Sequence, residues 1–439
     1  MATAQSTTLK SFESNEPVAI RYDAIVYAIM DGPFSPATIA PAGAEYHEAA
    51  NRTTQLHLTV TTPLHARSGQ DLPVVFYIHG GSYCFGDRTE TWYDGRQFAQ
   101  EDVILVACDY RLGAPGFIQF GDSDPNHYPG IDDCALALRW VQDNIEAYGG
   151  DPTNVTLAGQ SAGGGIVLWL CRKDHYQGMF RRAWALSPAY PRKHINTRTT
   201  TLRRRMQVPL TRKHLNKLAL NHPEKFAQRW QRFIKHIPTD MAAGPCPFDP
   251  EELADLDLIV SCTDKELNAM DLPRITTWYV PKWLRRKINQ NWGAAYSFKV
   301  EDSAELWLRE LINNTMLRRF VTQTAQHHHR TWLIYFTQAL HCDEIAPLFH
   351  SVPLIPAVEV HANKHPHPQA VARTHGILRN FAHGQLPSWP QAGTDALYTE
   401  VINIRTGESK QSATVLAEVA RDFPVYRADT SRSAWTNPE

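Results

Sequence analysis

The most informative stretch of this chain reads Asn154-Val-Thr-Leu-Ala-Gly-Gln-Ser-Ala-Gly-Gly-Gly165. A short β-rich run over 155–158 ends in Gly159-x-Ser161-x-Gly163, and an apolar helical pattern follows at once. A serine on a sharp strand-to-helix turn presents its Oγ above a sheet, and small neighbours tolerate the strained backbone there. The stretch therefore predicts a nucleophile elbow with Ser161 as the nucleophile. A plain glycine-rich turn is the competing interpretation, because the bare pattern is short.

Segments of strand character alternate with helical patterns from about residue 73 onward. Six runs of mostly apolar residues predict buried strands at 72–78, 103–108, 155–158, 182–186, 256–261 and 332–336. Between the second and third runs, Ile131, Leu138 and Val141 are spaced as one face of a helix. This alternation predicts an α/β fold with a doubly wound, mostly parallel sheet.

The domain organisation follows from length and from the longer stretches between strands. The chain has 439 residues, and no linker separates two domains. We expect a flexible N-terminus over 1–16 and a single catalytic domain over 17–430. Helical insertions are expected within that domain near 190–250 and 270–325.

Composition excludes several function classes. A net charge of −1 gives no argument for nucleic-acid or membrane-surface binding. No run approaches the roughly 18 apolar residues of a membrane span. The polar first 16 residues lack the apolar centre of a signal peptide, and the seven scattered cysteines suggest buried thiols. A cytoplasmic location is the expectation.

One segment departs from this even charge balance. Residues 181–236 carry 15 Lys and Arg against the single acid Glu224. A solvated helical segment with outward-facing cations is one interpretation. The other is a positive rim that attracts an anionic substrate or partner.

The remaining parts of an esterase-type site occur later in the chain. Such a site needs a base, an acid that orients it, and donors for a tetrahedral oxyanion. Asp264 and Glu266 follow the fifth predicted strand, and His341 follows the sixth. The order of nucleophile, acid and histidine that this kind of fold uses is therefore available.

Several longer blocks carry a family resemblance. The chain resembles the type B carboxylesterases, the cholinesterase-like branch of the α/β-hydrolases, from about Pro17 to Ile404. The matching blocks are VVFYIHGGSYCFG at 74–86, YRLG at 110–113, GIDD at 130–133, YGGDP at 148–152, GQSAG at 159–163, DKE at 264–266 and HCDEI at 341–345. The run from 130 to 163 is the most specific of them.

This resemblance implies roles for individual residues. It implies a catalytic triad of Ser161, Glu266 and His341, with Asp264 as the alternative acid. The implied oxyanion donors are the backbone N–H groups of Gly81, Ser82 and Ala162. By the same resemblance Glu344 is a structural residue of the histidine block, and His79 belongs structurally to the oxyanion loop.

The chain also departs from the family pattern. Ser82 stands where a third glycine is usual, and its side chain is expected to narrow the acyl pocket or to add a hydroxyl donor. Leu267 replaces the glycine that commonly follows the acid. The 53–56 region lacks the early cysteine of a family disulfide, and no tryptophan occupies the choline-binding region. These departures argue against an acetylcholine substrate.

Two histidine tracts are candidates for a metal site. Zinc needs convergent N and S ligands in fixed geometry, and neither the tract at 327–329 nor His361, His365 and His367 has a nearby cysteine. Surface and loop positions are the preferred interpretation, and no metal or other cofactor is expected.

The predicted function is hydrolysis of a small-molecule carboxylic ester, anionic or neutral, through an acyl-enzyme on Ser161. One alternative keeps the triad and changes the acceptor or the bond, as in a lactonase, a thioesterase or an acyltransferase. A non-catalytic binding module on the same fold is the other, since a fold does not dictate function.

Overall fold

The structure, a computed structural model, describes residues 5–269, 280–299, 303–354 and 365–424. Within these ranges twelve strands form one sheet, in the order β1-β2-β4-β6-β5-β7-β8-β9-β10-β11-β12, with β3 paired to β2. The strands are β1 Gln5–Lys10, β2 Pro17–Ile29, β3 Thr38–Ile39, β4 Gln55–Pro63, β5 Leu72–Ile78, β6 Ile104–Cys108, β7 Gly150–Gln160, β8 Arg182–Leu186, β9 Asp257–Lys265, β10 Thr331–Leu340, β11 Thr399–Asn403 and β12 Ser409–Ser412.

The centre of the sheet is parallel, and its N-terminal side is antiparallel. From β6 to β11 every neighbouring pair is parallel, whereas β1, β2, β4 and β6 pair antiparallel. All six predicted strands lie in the parallel part, so the predicted α/β fold with a mostly parallel sheet is confirmed. Parallel strands are covered on both faces, which is why each of these runs is almost continuously apolar.

Helices cover the two faces of the sheet. They are α1 Arg96–Gln100, α2 Gly113–Phe117, α3 Pro129–Asn144, α4 Ala162–Leu170, α5 Thr199–Met206, α6 Arg212–Asn221, α7 Pro223–Ile234, α8 Lys282–Asn291, α9 Ala304–Asn313, α10 Arg319–His327, α11 Ile345–Phe349, α12 Pro368–Ala382 and α13 Ala417–Asp422. A π-helical turn, Asn314–Arg318, joins α9 to α10. None of the helices in the described ranges combines the length and the apolar character of a membrane span.

Strand β5 illustrates how the sheet divides the core. Val74, Phe76 and Ile78 belong to one buried cluster, together with residues of α3 and α4. Val75 and Tyr77 belong to the cluster on the opposite face, with residues of α11 and α12. Successive side chains of a strand point to opposite faces, so one apolar run supplies both layers of the core.

The N-terminal residues and the two ranges with helical insertions lie outside the parallel strands. The N-terminus was expected to be flexible over 1–16, but β1 pairs there with β2, from Gln5 opposite Asp23 to Lys10 opposite Pro17. The polar Thr-rich run suits an edge strand, whose pairing needs backbone groups and little apolar surface. The two ranges expected to hold insertions contain helices α5–α7 and α8–α10, while 270–279 and 300–302 lie outside the described residues.

Candidate active site

Ser161 occupies a strained turn between β7 and α4. Its backbone has φ = 59° and ψ = −120°, outside the regions that side chains favour. Two hydrogen bonds hold it there, from Ser161 N to Leu186 O at 2.8 Å and from Ala189 N to Ser161 O at 3.1 Å. A Cβ on Gly163 would lie 2.1 Å from the carbonyl oxygen of Ile78. Glycine is therefore required for the helix to begin so close to the sheet.

The predicted oxyanion donors lie on two backbone segments beside this serine. Gly81 and Ser82 both have positive φ, at 108° and 52°, and a Cβ on Gly81 would lie 2.2 Å from Phe85 O. Ala162 is the first residue of α4. Within the described residues, none of these three N–H groups donates a hydrogen bond to a protein acceptor. Three donors thus remain available for a ligand.

His341 and Glu266 meet at the carboxyl ends of β10 and β9. His341 Nδ1 lies 2.6 Å from Glu266 Oε2, and the backbone N–H of His341 donates to Glu266 O at 2.9 Å. The other carboxylate oxygen of Glu266 accepts from Thr263 N at 2.7 Å and from the Ser187 hydroxyl at 2.9 Å. Four hydrogen bonds therefore fix this pair in one orientation.

Asp264, the alternative acid, lies elsewhere. Its two carboxylate oxygens each accept a backbone N–H, from Gln338 and Ala339, both at 3.0 Å. These bonds shape the end of β10 just before His341. Of the two candidate acids, Glu266 is the one that contacts His341, whereas Asp264 binds the backbone of β10.

Burial and pairing act in opposite directions on this pair. Burial alone would raise the pKa of Glu266, but the hydrogen bond and charge of His341 hold that pKa below its ordinary value. Burial alone would lower the pKa of His341, and the contact with Glu266 raises it above its ordinary value. The carboxylate therefore stays charged and favours the imidazolium, which suits a base that takes up a proton.

A second buried carboxylate lies beside the first. Glu344 Oε1 accepts from Gln160 Nε2 at 3.2 Å and from the Ser187 hydroxyl at 3.4 Å. Its Oε2 is buried and has no partner among the described residues. Burial, with the charge of Glu266 added, raises the pKa of Glu344 to about 7. Two adjacent carboxylates with opposite pKa shifts can therefore differ in charge at neutral pH.

Five of the six predicted site residues line one cavity of about 720 Å³: Gly81, Ser82, Ser161, Glu266 and His341. Ala162 is buried directly behind Ser161. Within the described residues the Ser161 hydroxyl makes no hydrogen bond, and the Nε2 atom of His341 lies 3.4 Å from Gln160 Nε2. His341 therefore presents Nε2, the ring nitrogen that does not contact Glu266, beside Gln160 at the floor of the cavity.

The cavity has a floor and two walls. The floor comprises Gly81, Ser82, Gln160, Ser161 and His341. One wall comes from the end of α7 and the segment after it, 234–242. The other comes from α9 and the π-helical turn, 309–317. The walls are largely apolar and contain Ile234, Ile237, Met241, Ile312, Met316 and Leu317.

Charged side chains in the walls differ in how they are held. Arg198 and the backbone N–H of Arg192 bind Asp240, and Glu305 with two backbone carbonyls binds Arg309. Lys235 is exposed and forms no ion pair among the described residues. Of the 15 cations in the basic segment, Lys235 is the one that lines the cavity.

Gln160 and Ser187 also belong to the site, although the sequence did not predict them there. Gln160 bridges His341 and Glu344, and Ser187 bridges Glu266 and Glu344. A signal existed for both residues. Each lies at the carboxyl end of a parallel strand, β7 or β8, where site residues of α/β folds collect.

Two of the other singled-out histidines, His79 and His328, make structural contacts. His79 is buried, stacks on Tyr110 at 4.6 Å between ring centroids, and faces Gly80 O at 2.8 Å through Nδ1. Burial, with the charge of Arg52, lowers the pKa of His79 to about 4. Both ring nitrogens of His328 are hydrogen-bonded, to Thr331 Oγ1 and Ala254 O. His361 lies outside the described residues. All seven cysteines are free thiols.

Sequence comparison relates the chain to known esterases. The profile described as "Carboxylesterase family" matches residues 12–267, more than half of the chain. Over 129 residues, 29% of this chain and 24% of the relative, it is 44% identical to the "Cocaine esterase" of Oryctolagus cuniculus. Over 117 residues, 26% of this chain and 24% of the relative, it is 42% identical to the "Para-nitrobenzyl esterase" of Bacillus subtilis. The chain thus aligns with about a quarter of the length of these curated relatives.

Solved structures resemble the chain over nearly its whole length. A "PNB esterase" superposes with a TM-score of 0.74 at 20% identity, over 95% of this chain and 99% of that protein. A carboxylesterase from Geobacillus stearothermophilus superposes with a TM-score of 0.70 at 22% identity, over 92% and 96%. At these identities the likeness establishes the fold, which is that of an α/β-hydrolase.

Proposed function

The chain belongs to the carboxylesterase family, and we propose that it hydrolyses small-molecule carboxylic esters through an acyl-enzyme on Ser161. The observation that carries the proposal is the 2.6 Å contact between His341 Nδ1 and Glu266 Oε2. Both residues line the same cavity as Ser161. Glu266 holds the tautomer with the proton on Nδ1, which leaves Nε2 free to act as the base.

Acylation begins with attack of Ser161 Oγ on the ester carbonyl carbon. The Nε2 atom of His341 takes the serine proton and then gives it to the departing alcohol as the C–O bond breaks. The N–H groups of Gly81, Ser82 and Ala162 receive the oxyanion of the tetrahedral intermediate. One such donor is worth about 10²–10³ in rate.

Deacylation repeats this sequence with water as the nucleophile. His341 removes a proton from water, the hydroxide adds to the acyl carbon, and the proton returns to Ser161 as the carboxylic acid leaves. Glu266 stays ionised and stabilises the imidazolium in both halves. No metal ion or organic cofactor takes part in the proposed reaction.

The walls indicate the substrate class. A cavity of about 720 Å³ falls within the range that accepts molecules of drug-like size, and its apolar walls suit aliphatic or aromatic groups. Lys235 adds one unpaired cation at the wall, so a substrate with a carboxylate distant from the ester is also accommodated.

Replacement by Lys235→Gln tests this preference for an anionic substrate. It should raise KM for the aryl hemisuccinate ester and leave KM for the neutral butyrate of the same alcohol unchanged. Equal changes in KM for both esters would contradict the proposed preference for an anionic substrate.

Replacement of the nucleophile tests the proposed function. Ser161→Ala should lower kcat on small aryl esters by about 10⁴–10⁶, while a circular dichroism melt shows a folded protein. A fluorophosphonate probe should label the wild-type chain at Ser161 and leave the variant unlabelled. A variant that keeps more than about a tenth of the wild-type turnover would refute the assignment. Wild-type protein that neither turns over esters nor reacts with the probe would point to a binding module.

A further inference from the structure

We propose that His127, Asp132 and His175 form a Zn²⁺ site outside the catalytic cavity. One ligand atom of each residue lies within 4.8 Å of those of the other two. The three residues come from the loop before α3, the first turn of α3, and the segment after α4. None of them lines the active-site cavity.

His175 supplies the strongest indication of a ligand. Its side chain is 3% exposed, and its Nε2 atom is buried with no hydrogen-bond partner among the described residues. A buried imidazole nitrogen without a partner costs free energy, because it has lost water and gained nothing. A metal ion bound to Nε2 would satisfy it.

The opposite side of the same ring is held as zinc-binding histidines are held. His175 Nδ1 lies 2.9 Å from Asp174 Oδ1, and Arg172 binds that carboxylate through two hydrogen bonds of 3.0 Å. A carboxylate on one ring nitrogen fixes the tautomer and makes the other nitrogen the better ligand. The chain thus provides an outer partner as well as the ligand itself.

The other two ligands are already close to one another. His127 Nδ1 lies 2.9 Å from Asp132 Oδ1, and the rings of His127 and His175 stack with centroids 4.6 Å apart. The His127 and Asp132 side chains are 46% and 42% exposed, so small rotations can bring them to bonding distance.

The donor set identifies the kind of ion. Two imidazole nitrogens and one carboxylate oxygen suit zinc, whose three-ligand sites complete a tetrahedron with water. Calcium and magnesium prefer oxygen ligands and would leave the two imidazoles unused. The ion would join the start of α3 to the segment after α4, the helix that follows Ser161, so its expected effect is on stability.

The proposal is tested by zinc titration of the full-length protein without an affinity tag. Calorimetry should detect one tight zinc ion per chain, and the thermal midpoint should rise with zinc, since a ligand of the native state stabilises it. His127→Gln and Asp132→Asn change exposed side chains, so these variants should stay folded. Each should weaken the binding by more than about tenfold, and Asp174→Asn by about 10–100-fold through the outer partner.

His65→Gln is the matched control, because His65 and Asp102 form an exposed pair at 3.1 Å that belongs to no three-residue cluster. Its zinc affinity should equal that of the wild type. The proposal is overturned if the wild type binds no zinc at micromolar concentration. It is also overturned if His127→Gln and Asp132→Asn bind zinc as tightly as the control.

Discussion

The floor and the walls of the cavity are specified by different kinds of contact. At the floor, backbone approaches backbone: a Cβ on Gly81 or Gly163 would lie 2.2 Å or 2.1 Å from a carbonyl oxygen. In the walls, apolar side chains such as Ile237 and Met316 face the cavity. Backbone contacts at that distance admit one residue type, whereas an apolar wall accepts many side chains of suitable volume.

This difference implies that the floor and the walls have different roles. In the proposed function, the floor carries the groups that act on any ester. The walls come from the two helical ranges outside the parallel sheet, and in the same proposal they contact the parts of a substrate that vary. Substitutions at the floor should therefore change the rate for all esters, and substitutions in the walls should change their ranking.

After replacement of Ser161 itself, the largest expected effect comes from the partner of His341. Glu266→Gln keeps the side-chain volume but removes the charge that holds the imidazole tautomer, so kcat should fall by about 10³–10⁴ for every ester tested. Steady-state kinetics on acetate and hexanoate esters of one phenol measure it. A loss confined to one ester would contradict the division between floor and walls.

Asp264→Asn is the matched control for this prediction. Asp264 accepts two backbone N–H groups near the end of β10 and does not contact His341. Its replacement should cost about 1–3 kcal/mol of unfolding free energy and less than a tenfold change in kcat. If the two variants exchange these behaviours, Asp264 is the acid of the triad.

The contrast between floor and walls also explains how far the sequence could predict the molecule. The strands of the parallel sheet were predictable, because burial on both faces makes each a continuous apolar run. The turn at Ser161 and Gly163 was predictable because its strained and close-packed backbone limits the residue types around it. His341 was predicted from its position after a strand and from the resemblance of its block to a known family. Strand β1 escaped prediction, since an edge strand needs little apolar surface.

The walls were not predictable in the same way. Residues 234–242 and 309–317 reach the cavity only through the path of the helices around them, and no local pattern records that path. The buried polar network is an intermediate case. The sequence placed Glu344 in a structural role, but the unpartnered oxygen and the proximity of Glu266 emerge only from three-dimensional packing.

The second prediction concerns this network and the pH. The pKa of Glu344 is about 7 in the folded chain and about 4.3 when unfolded. Between these values the folded state binds more protons, so wild-type stability falls as pH rises. Glu344→Gln removes this pH-dependent loss of stability, because a glutamine side chain does not titrate. The variant should therefore gain up to about 3 kcal/mol relative to the wild type between pH 4 and pH 8.

Denaturant titrations at several pH values measure that gain. Glu408→Gln serves as the control, because this glutamate is exposed at the surface, and its difference from the wild type should be the same at every pH. A flat difference for Glu344→Gln would mean that the carboxylate is solvated and outside the buried network.

The third prediction moves to the wall. Ile237→Ala removes apolar surface from the cavity, so the ratio of kcat/KM for hexanoate to that for acetate should fall about tenfold. The acetate value itself should change little. Ile288→Ala truncates a half-buried isoleucine outside the cavity and should leave the ratio unchanged. An equal loss of kcat/KM on both esters would mean that Ile237 supports turnover of every ester, as the floor residues are expected to do.

The smallest effect is expected at Ser82, a floor residue whose backbone N–H should serve every ester while its side chain is expected to limit the acyl group. Its backbone has φ = 52°, a left-handed conformation that glycine adopts freely. Ser82→Gly relieves this strain in the folded state but raises the conformational entropy of the unfolded chain. The two effects oppose each other, so the net change in unfolding free energy should stay within about 1 kcal/mol. Its N–H remains in place as a donor, so turnover of the acetate ester should persist. The missing CH₂OH group should widen the acyl side and favour branched acyl esters severalfold.

Asp71→Gly separates the two contributions at Ser82. Asp71 has φ = 55° and is exposed, away from the cavity, so its replacement frees the backbone and removes a surface carboxylate without changing the acyl side. Both variants should shift the thermal midpoint by similar small amounts, and only Ser82→Gly should change the ranking of acyl groups. If Ser82→Gly instead lowers the rate on every ester by tenfold or more, the serine hydroxyl itself contacts the oxyanion. The side chain of Ser82 would then belong to the floor by chemistry as well as by position.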